Sequence, residues 1–149
     1  MKTVSQPFVI LLAEDEPGDT RLMQLAMRNS GFSLELHCVE DGHEALAYLR
    51  RQGERFQNAL RPDLILLDLK MPGMGGLETL GAIKQIEALR GIPVVMITTS
   101  ELEADVSAAY QLGAVGYVAK LADLHEFMAA MRSLVGYWFN LVRLPEHPP

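Results

Sequence analysis

The fold is decided by the stretch RPDLILLDLKMPGMGG, which occupies residues 61–76. Its centre is a run of four consecutive apolar residues, Leu64 to Leu67, and the run ends at Asp68. A run that is apolar throughout, rather than at alternate positions, is typical of a strand buried on both faces of a parallel sheet. Pro62 and Pro72 lie beside the connections on either side. The stretch therefore predicts a central strand with an acidic residue at its carboxyl end.

Four similar runs accompany this one along the chain. The five predicted strands are Phe8 to Ala13, Leu34 to Val39, Leu64 to Leu67, Val94 to Ile97 and Val115 to Ala119. The first, third and fourth are continuously apolar, so we expect them at the centre of the sheet. The segments between the runs have helical spacing and are long enough for crossover helices. Strands that alternate with helices predict a doubly wound α/β domain whose function lies at the carboxyl ends of the strands.

Length and composition restrict the class of protein. A chain of 149 residues is expected to form one domain, residues 1–149, with a core of about 7–137 and a C-terminal extension of 138–149. The net charge of −6 argues against nucleic-acid binding, because a phosphate-binding surface needs clustered Lys and Arg. No apolar run approaches the roughly 18 residues of a membrane span, and the single cysteine, Cys38, fits a reducing compartment. We therefore expect a cytoplasmic protein.

Polar residues follow four of the five predicted strands. They are Glu14, Asp15 and Glu16 after the first strand, Asp68 after the third, Thr98 after the fourth and Lys120 after the fifth. These strand ends should converge, and carboxylates that meet at one edge need a cation such as Mg²⁺ between them. A carboxylate nucleophile, a divalent cation, a hydroxyl donor and a fixed positive charge are what phosphoryl transfer to a carboxylate requires. The alternative for Asp15 or Glu16 is that it only caps the next helix.

The chain resembles the receiver domains of two-component response regulators. The matching stretches are ILLAEDEPGD, RPDLILLDLKMPGMGG, IPVVMITTS and LGAVGYVAK, and Thr98 and Lys120 follow Asp68 at the family's intervals of 30 and then 22 residues. This resemblance implies a flavodoxin-like (βα)5 fold with strand order 2-1-3-4-5. Within the family, the segments RRQGERFQNALRP and YWFNLVRLP look most like the single-domain regulators that partner bacterial and cyanobacterial phytochromes.

The resemblance also implies a role for each site residue. Asp68 is the expected phosphoacceptor, and a sensor histidine kinase, such as a bacteriophytochrome, is the expected phosphoryl donor. The protein would then be a signalling protein rather than an enzyme, although it would assist its own phosphotransfer and autodephosphorylation. The expected Mg²⁺ site is formed by Asp15, Asp68 and the backbone carbonyl of Lys70, with Glu14 helping through water. Thr98 and Lys120 are the expected phosphoryl contacts, and Thr98 and Tyr117, an aromatic residue that rotates inward, form the expected switch.

Three other functions compete with this interpretation. A phosphatase that forms an aspartyl-phosphate would carry a second Asp at position 70, where this chain has Lys70. A flavin- or nucleotide-binding module would need a loop rich in Gly, Ser or Thr after the first strand, whereas the loop here is EDEPGD. A pseudo-receiver that binds partners without phosphorylation is the remaining alternative. Only 29 residues follow Lys120, so we expect no output domain and a signal passed by protein contacts.

Two features near the C-terminus depart from the simplest expectation. Lys120 is followed by Leu121, where receiver domains usually have a proline in a cis peptide, so we expect a trans bond here. The last helix has a core-facing stripe, but apolar residues continue beyond it at Phe139, Leu141, Val142 and Leu144. We expect this surplus to form a homodimer interface with the last strand and the last two helices. The alternative is that the tail folds back on its own domain.

Overall fold

A computed structural model describes residues 7–120 and 122–142 as a five-stranded parallel sheet with helices on both faces. The strands are β1 (Phe8–Ala13), β2 (Leu34–Val39), β3 (Leu64–Leu67), β4 (Val94–Thr98) and β5 (Gly116–Ala119). The helices are α1 (Pro17–Arg28), α2 (Gly42–Arg50), α3 (Gly53–Phe56), α4 (Gly76–Gln85), α5 (Glu103–Gln111) and α6 (Leu124–Gly136). The strand order is β2-β1-β3-β4-β5, so the predicted fold is confirmed.

Burial follows the apolar pattern of the strands. Every residue of β1, β3 and β4 is buried, whereas β2 and β5 form the half-buried edges of the sheet, as predicted. Helices α1 and α6 cover one face with Met23, Phe127 and Met131. Helices α2, α4 and α5 cover the other face and bury residues such as Leu80 and Ile83. The sheet therefore holds the carboxyl ends of its strands on a rigid apolar platform.

The beginnings of two helices agree with local capping rules. Glu16 accepts a hydrogen bond from the backbone of Gly18, and Pro17 occupies the first turn of α1. Asp41 caps α2 by accepting from the backbone of Glu44 at 2.8 Å. Glu16 is thus the acid that caps α1, and Asp15 is left to the edge of the sheet.

The short helix α3 was not expected from the sequence. It lies in the connection between α2 and β3, where the chain has no apolar periodicity to reveal it. Phe56 at its end packs against Tyr48, with ring centroids 5.6 Å apart. This tertiary contact, rather than local propensity, explains the turn of helix.

The chain continues beyond α6 as a π-helical turn, Tyr137–Leu141, that folds back on the domain. Phe139 packs against Phe8 and Phe32, with ring centroids 5.9 and 5.0 Å apart. The expectation that Phe139 is surplus to the core is therefore wrong, because two aromatic residues distant in sequence cover it. Leu141 remains 74% exposed. The predictions for Leu144 and for the Lys120–Leu121 peptide concern positions outside the described residues.

Within the described ranges, the structure contains no helix that is both long enough and apolar enough to cross a membrane. The cytoplasmic location stays a prediction. The division into a core of 7–137 and an extension of 138–149 also stays a prediction.

Gly76 fixes the approach of α4 to the end of β3, and this contact yields a test of the fold. A Cβ atom at position 76 would lie 2.1 Å from the backbone oxygen of Asp68. Gly76→Ala should therefore displace the backbone there and lower the free energy of unfolding by about 1 to 3 kcal/mol.

The matched control for this change is Gly91→Ala, because a Cβ at position 91 meets nothing within 4 Å. Urea denaturation of the two variants and the wild type measures the difference. Equal stability of the two variants would contradict the proposed steric role of Gly76.

Candidate functional site

The carboxyl ends of the central strands bring three acids together. Glu14, Asp15 and Asp68 each offer a carboxylate oxygen within 4.8 Å of the others. The backbone N–H of Asp68 donates to Ala13 at 3.0 Å, so the residue is still held by the β1–β3 ladder. Glu14 and Asp68 are buried, at 4% and 6% exposure, and Asp15 is exposed. The predicted convergence of these acids is therefore present in the structure.

Lys120 reaches into this acidic group from the end of β5. Its ammonium contacts Oε1 of Glu14 and lies 2.8 Å from Oδ2 of Asp19 and 3.3 Å from Oδ2 of Asp68. The side chain is only 13% exposed, so Lys120 is not a solvated surface charge. The ammonium supplies the fixed positive charge that the sequence predicts beside Asp68.

Asp19 is a site residue that the strand-end argument missed. It lies in the first turn of α1 rather than at the end of a strand, yet it pairs with Lys120. A partial signal was present in the sequence, because Asp19 is an acid in the first turn of the helix that directly follows the acidic end of β1.

Burial and the neighbouring charges shift the pKa of Glu14 and of Lys120. Burial raises the pKa of Glu14 to about 7, with Asp68 adding to the rise and the hydrogen bond from Lys120 opposing it. Burial alone would lower the pKa of Lys120, but the hydrogen bonds to Asp19 and Glu14 outweigh it and the pKa is raised. The lysine therefore stays charged, while the pKa of Glu14 stays near 7 despite the contact with the Lys120 ammonium.

Thr98 and Tyr117 meet at the loop that follows β4. Thr98 is 1% exposed, and its Oγ1 accepts a hydrogen bond from the backbone N–H of Ser100 at 3.3 Å. The half-buried Tyr117 donates its hydroxyl to the backbone oxygen of Ser100 at 2.8 Å. Both predicted switch residues thus contact one loop residue that the sequence did not single out.

Lys70 lies two residues beyond Asp68, and its side chain is exposed. This position agrees with the expectation that its side chain need not hold a metal. The role of its backbone carbonyl as a ligand stays a prediction.

A separate cavity of about 440 Å³ is lined by three arginines, two of them consecutive in the sequence. It is lined by Arg50, Arg51 and Arg61 together with apolar residues of α2 and of the segments that precede β3 and β4. Arg51 donates to Ala59 at 2.9 Å and Arg61 donates to Ala88 at 2.5 Å, so both guanidinium groups bind the backbone. The cavity lies apart from the acidic group, and the absence of nucleic-acid binding stays a prediction.

The family follows from the fold and from a direct match. Residues 10–132 match the response regulator receiver domain, so the chain belongs to this family. The chain is a receiver domain, and response regulators with such domains are signalling proteins. Receiver domains bind a divalent cation, and the cluster of Glu14, Asp15 and Asp68 is the corresponding feature of this chain.

Three relatives are similar over nearly the whole chain. Response regulator Rcp1 of Synechocystis sp. is 42% identical, over 93% of this chain and 94% of its own. The crystal structure of its Mn²⁺-bound form has a TM-score of 0.87 at 41% identity, covering 94% of this chain and 100% of that one. The phosphorylated cyanobacterial phytochrome response regulator RcpA has a TM-score of 0.89 at 41% identity, with 95% and 100% covered. The bacteriophytochrome response regulator RtBRR has a TM-score of 0.73 at 41% identity, with 97% and 86% covered.

The raised pKa of Glu14 predicts an unusual pH dependence of stability in the absence of divalent cations. The unfolded chain releases this proton near the ordinary value of 4.5 and the folded chain only near 7. The free energy of unfolding should therefore fall by about 2 to 3 kcal/mol from this group as the pH rises through that window. Glu14→Gln should remove this fall and be more stable than the wild type at pH 8.

Chemical denaturation in the presence of a chelator, repeated from pH 4 to pH 8, measures the effect. Glu16→Gln is the matched control, because Glu16 is an exposed acid on the same loop and glutamine can still cap α1. Parallel pH profiles for Glu14→Gln and the wild type would contradict the burial of an ionisable Glu14.

Proposed function

We propose that this receiver accepts a phosphoryl group on Asp68 from a sensor histidine kinase, with Mg²⁺ as the cation, and signals by changing the surface around β5, α5 and α6. The observation that carries the proposal is the position of the Lys120 ammonium, 3.3 Å from Asp68 and in contact with Glu14. A carboxylate flanked by acids and held by a lysine has the charge pattern that phosphoryl transfer to a carboxylate requires.

The acids fit a hard divalent cation. Glu14, Asp15 and Asp68 offer only oxygen ligands, and their mutual distance within 4.8 Å suits one ion. We assign Glu14, Asp15, Asp68 and the backbone carbonyl of Lys70 to its coordination. When bound, the cation supplies charge neutralisation for the incoming phosphoryl group.

Asp68 is the nucleophile in this mechanism. One carboxylate oxygen forms a bond to phosphorus while the bond from phosphorus to the histidine nitrogen of the kinase breaks, and the electron pair stays on that nitrogen. Lys120 balances the negative charge of the phosphoryl oxygens, and the Thr98 hydroxyl donates to another of them. We include autodephosphorylation in the proposal: the oxygen of a water molecule bonds to phosphorus while the bond from phosphorus to the Asp68 oxygen breaks and restores the carboxylate.

Thr98 and Tyr117 are the proposed switch. The hydroxyl of Thr98 has a free hydrogen to donate, since the bond with Ser100 uses only its acceptor side. A movement of Thr98 toward a phosphoryl group would displace Ser100, the loop residue whose backbone oxygen accepts a hydrogen bond from the Tyr117 hydroxyl. Phosphorylation adds about two negative charges, which is enough to bias two such arrangements.

The kinase partner is proposed from the names of the relatives. Rcp1, RcpA and RtBRR are response regulators, and the last two are named for phytochromes. We therefore propose a phytochrome-type sensor histidine kinase as the donor. The phosphorylation-independent pseudo-receiver is not favoured, because Asp68 and Lys120 are both present and in contact range.

The phosphoacceptor is tested by mass. The wild type incubated with phosphoramidate and Mg²⁺ should gain the mass of one phosphoryl group, and Asp68→Asn should gain none. Asp123→Asn is the matched control, because asparagine can still cap α6 and the change removes the same charge. Phosphorylation of Asp68→Asn at the wild-type level would refute the assignment.

We also propose that the chain forms a homodimer through β5, α5, α6 and the tail. The support is a group of exposed apolar side chains on and beside α5 and β5, which includes Leu102 at 66% exposure, Tyr110 at 49% and Val115 at 50%. Exposed apolar patches of this kind mark interfaces between proteins.

Val115→Lys should weaken this dimer about tenfold or more, equivalent to about 1.4 kcal/mol, without unfolding the exposed site. Leu60→Lys is the matched control, because Leu60 is 47% exposed and lies before β3, outside the proposed interface. Sedimentation equilibrium measures both variants. An unchanged dimer in Val115→Lys would exclude the start of β5 from the interface, because Val115 directly precedes that strand.

A further inference from the structure

Ser100 uses every polar group it has to join three parts of the domain. It lies two residues beyond the end of β4 and is only 7% exposed. Its backbone contacts Thr98 and Tyr117, while its side chain contacts the first turn of α5. The proposed phosphotransfer and switch use only the main chain of Ser100 and leave its hydroxyl without a role.

The backbone half of these contacts faces the candidate site. The N–H of Ser100 donates to Oγ1 of Thr98 at 3.3 Å, and its carbonyl accepts from the hydroxyl of Tyr117 at 2.8 Å. Because both contacts use main-chain atoms, a change of the Ser100 side chain leaves them in place.

The side-chain half faces α5. The Ser100 hydroxyl donates to Oδ2 of Asp105 at 2.5 Å and accepts from the backbone N–H of Leu102 at 3.4 Å. Leu102 precedes the first residue of α5 and provides no side-chain cap for it. The hydroxyl of Ser100 therefore ties both the residue before α5 and a side chain of its first turn to the loop.

We propose that Ser100 is a positioning residue that couples α5 to Thr98, so that its hydroxyl is required for the helix to respond to phosphorylation but not for phosphorylation itself. The inference rests on the proposed function of Asp68. The main chain of Ser100 bonds to Thr98, which belongs to the phosphorylation site, whereas its side chain bonds to Asp105 of α5. A change of the side chain should therefore affect the movement of α5 and leave phosphorylation unchanged.

The test compares the full chain with Ser100→Ala, Ser100→Thr and Ser107→Ala. Ser107 is an exposed serine in α5 itself, so it controls for loss of a hydroxyl near the helix. Each protein is treated with phosphoramidate and Mg²⁺, and intact mass gives the extent of phosphorylation. Hydrogen exchange of residues 103–111 is then measured before and after treatment.

We expect equal phosphorylation of all four proteins. The phosphorylation-dependent change in exchange of α5 should fall at least about fivefold in Ser100→Ala, stay at the wild-type level in Ser107→Ala, and be restored in Ser100→Thr, which keeps the hydroxyl. Faster exchange of α5 in Ser100→Ala with an undiminished change on phosphorylation would show a role in stability only and overturn the proposal.

Two further outcomes also decide the question. An unphosphorylated wild type would overturn the function of Asp68 and this inference with it. A wild type that is phosphorylated without any change in α5 would overturn the coupling alone.

Discussion

The interaction on which the site depends is the contact of one ammonium with three carboxylates from separate elements. Glu14, Asp19 and Asp68 come from the end of β1, from α1 and from the end of β3, and Lys120 from the end of β5 pairs with all of them. A buried carboxylate is tolerated when a positive charge or hydrogen bonds compensate for its lost hydration, or when the acid keeps its proton. The continuous apolar strands allow this arrangement, because a sheet buried on both faces holds its strand ends in fixed positions.

The fixed strand ends also connect the acidic group to the exposed surface of α5. Thr98 is the last residue of β4, and the loop that begins there is held to β5 by Tyr117 and to α5 by Ser100. A change of charge at Asp68 is therefore next to the residues that anchor an exposed helix. A receiver needs no large motion to alter its surface if the loop at its rim has two arrangements of similar energy.

The sequence predicts the strands to within about one residue, because runs of buried apolar residues leave a strong local pattern. It predicts the acids and Lys120 because the ends of parallel strands must meet. Asp19, α3 and the packing of Phe139 were missed or wrong for a common reason. Each depends on a side-chain contact outside its own element, Lys120 for Asp19, Tyr48 for α3 and Phe8 for Phe139, and periodicity carries no information about such contacts.

The packing of Phe139 against Phe8 and Phe32 determines where the polypeptide leaves the domain. Phe8 is the first residue of β1, so this aromatic contact lies at the amino end of the sheet and away from the edge that carries Asp68. Both ends of the described chain thus emerge on the side remote from the acids. Within the described ranges, neither end lies at the acidic rim, so a docking protein that approaches Asp68 meets neither Pro7 nor Val142.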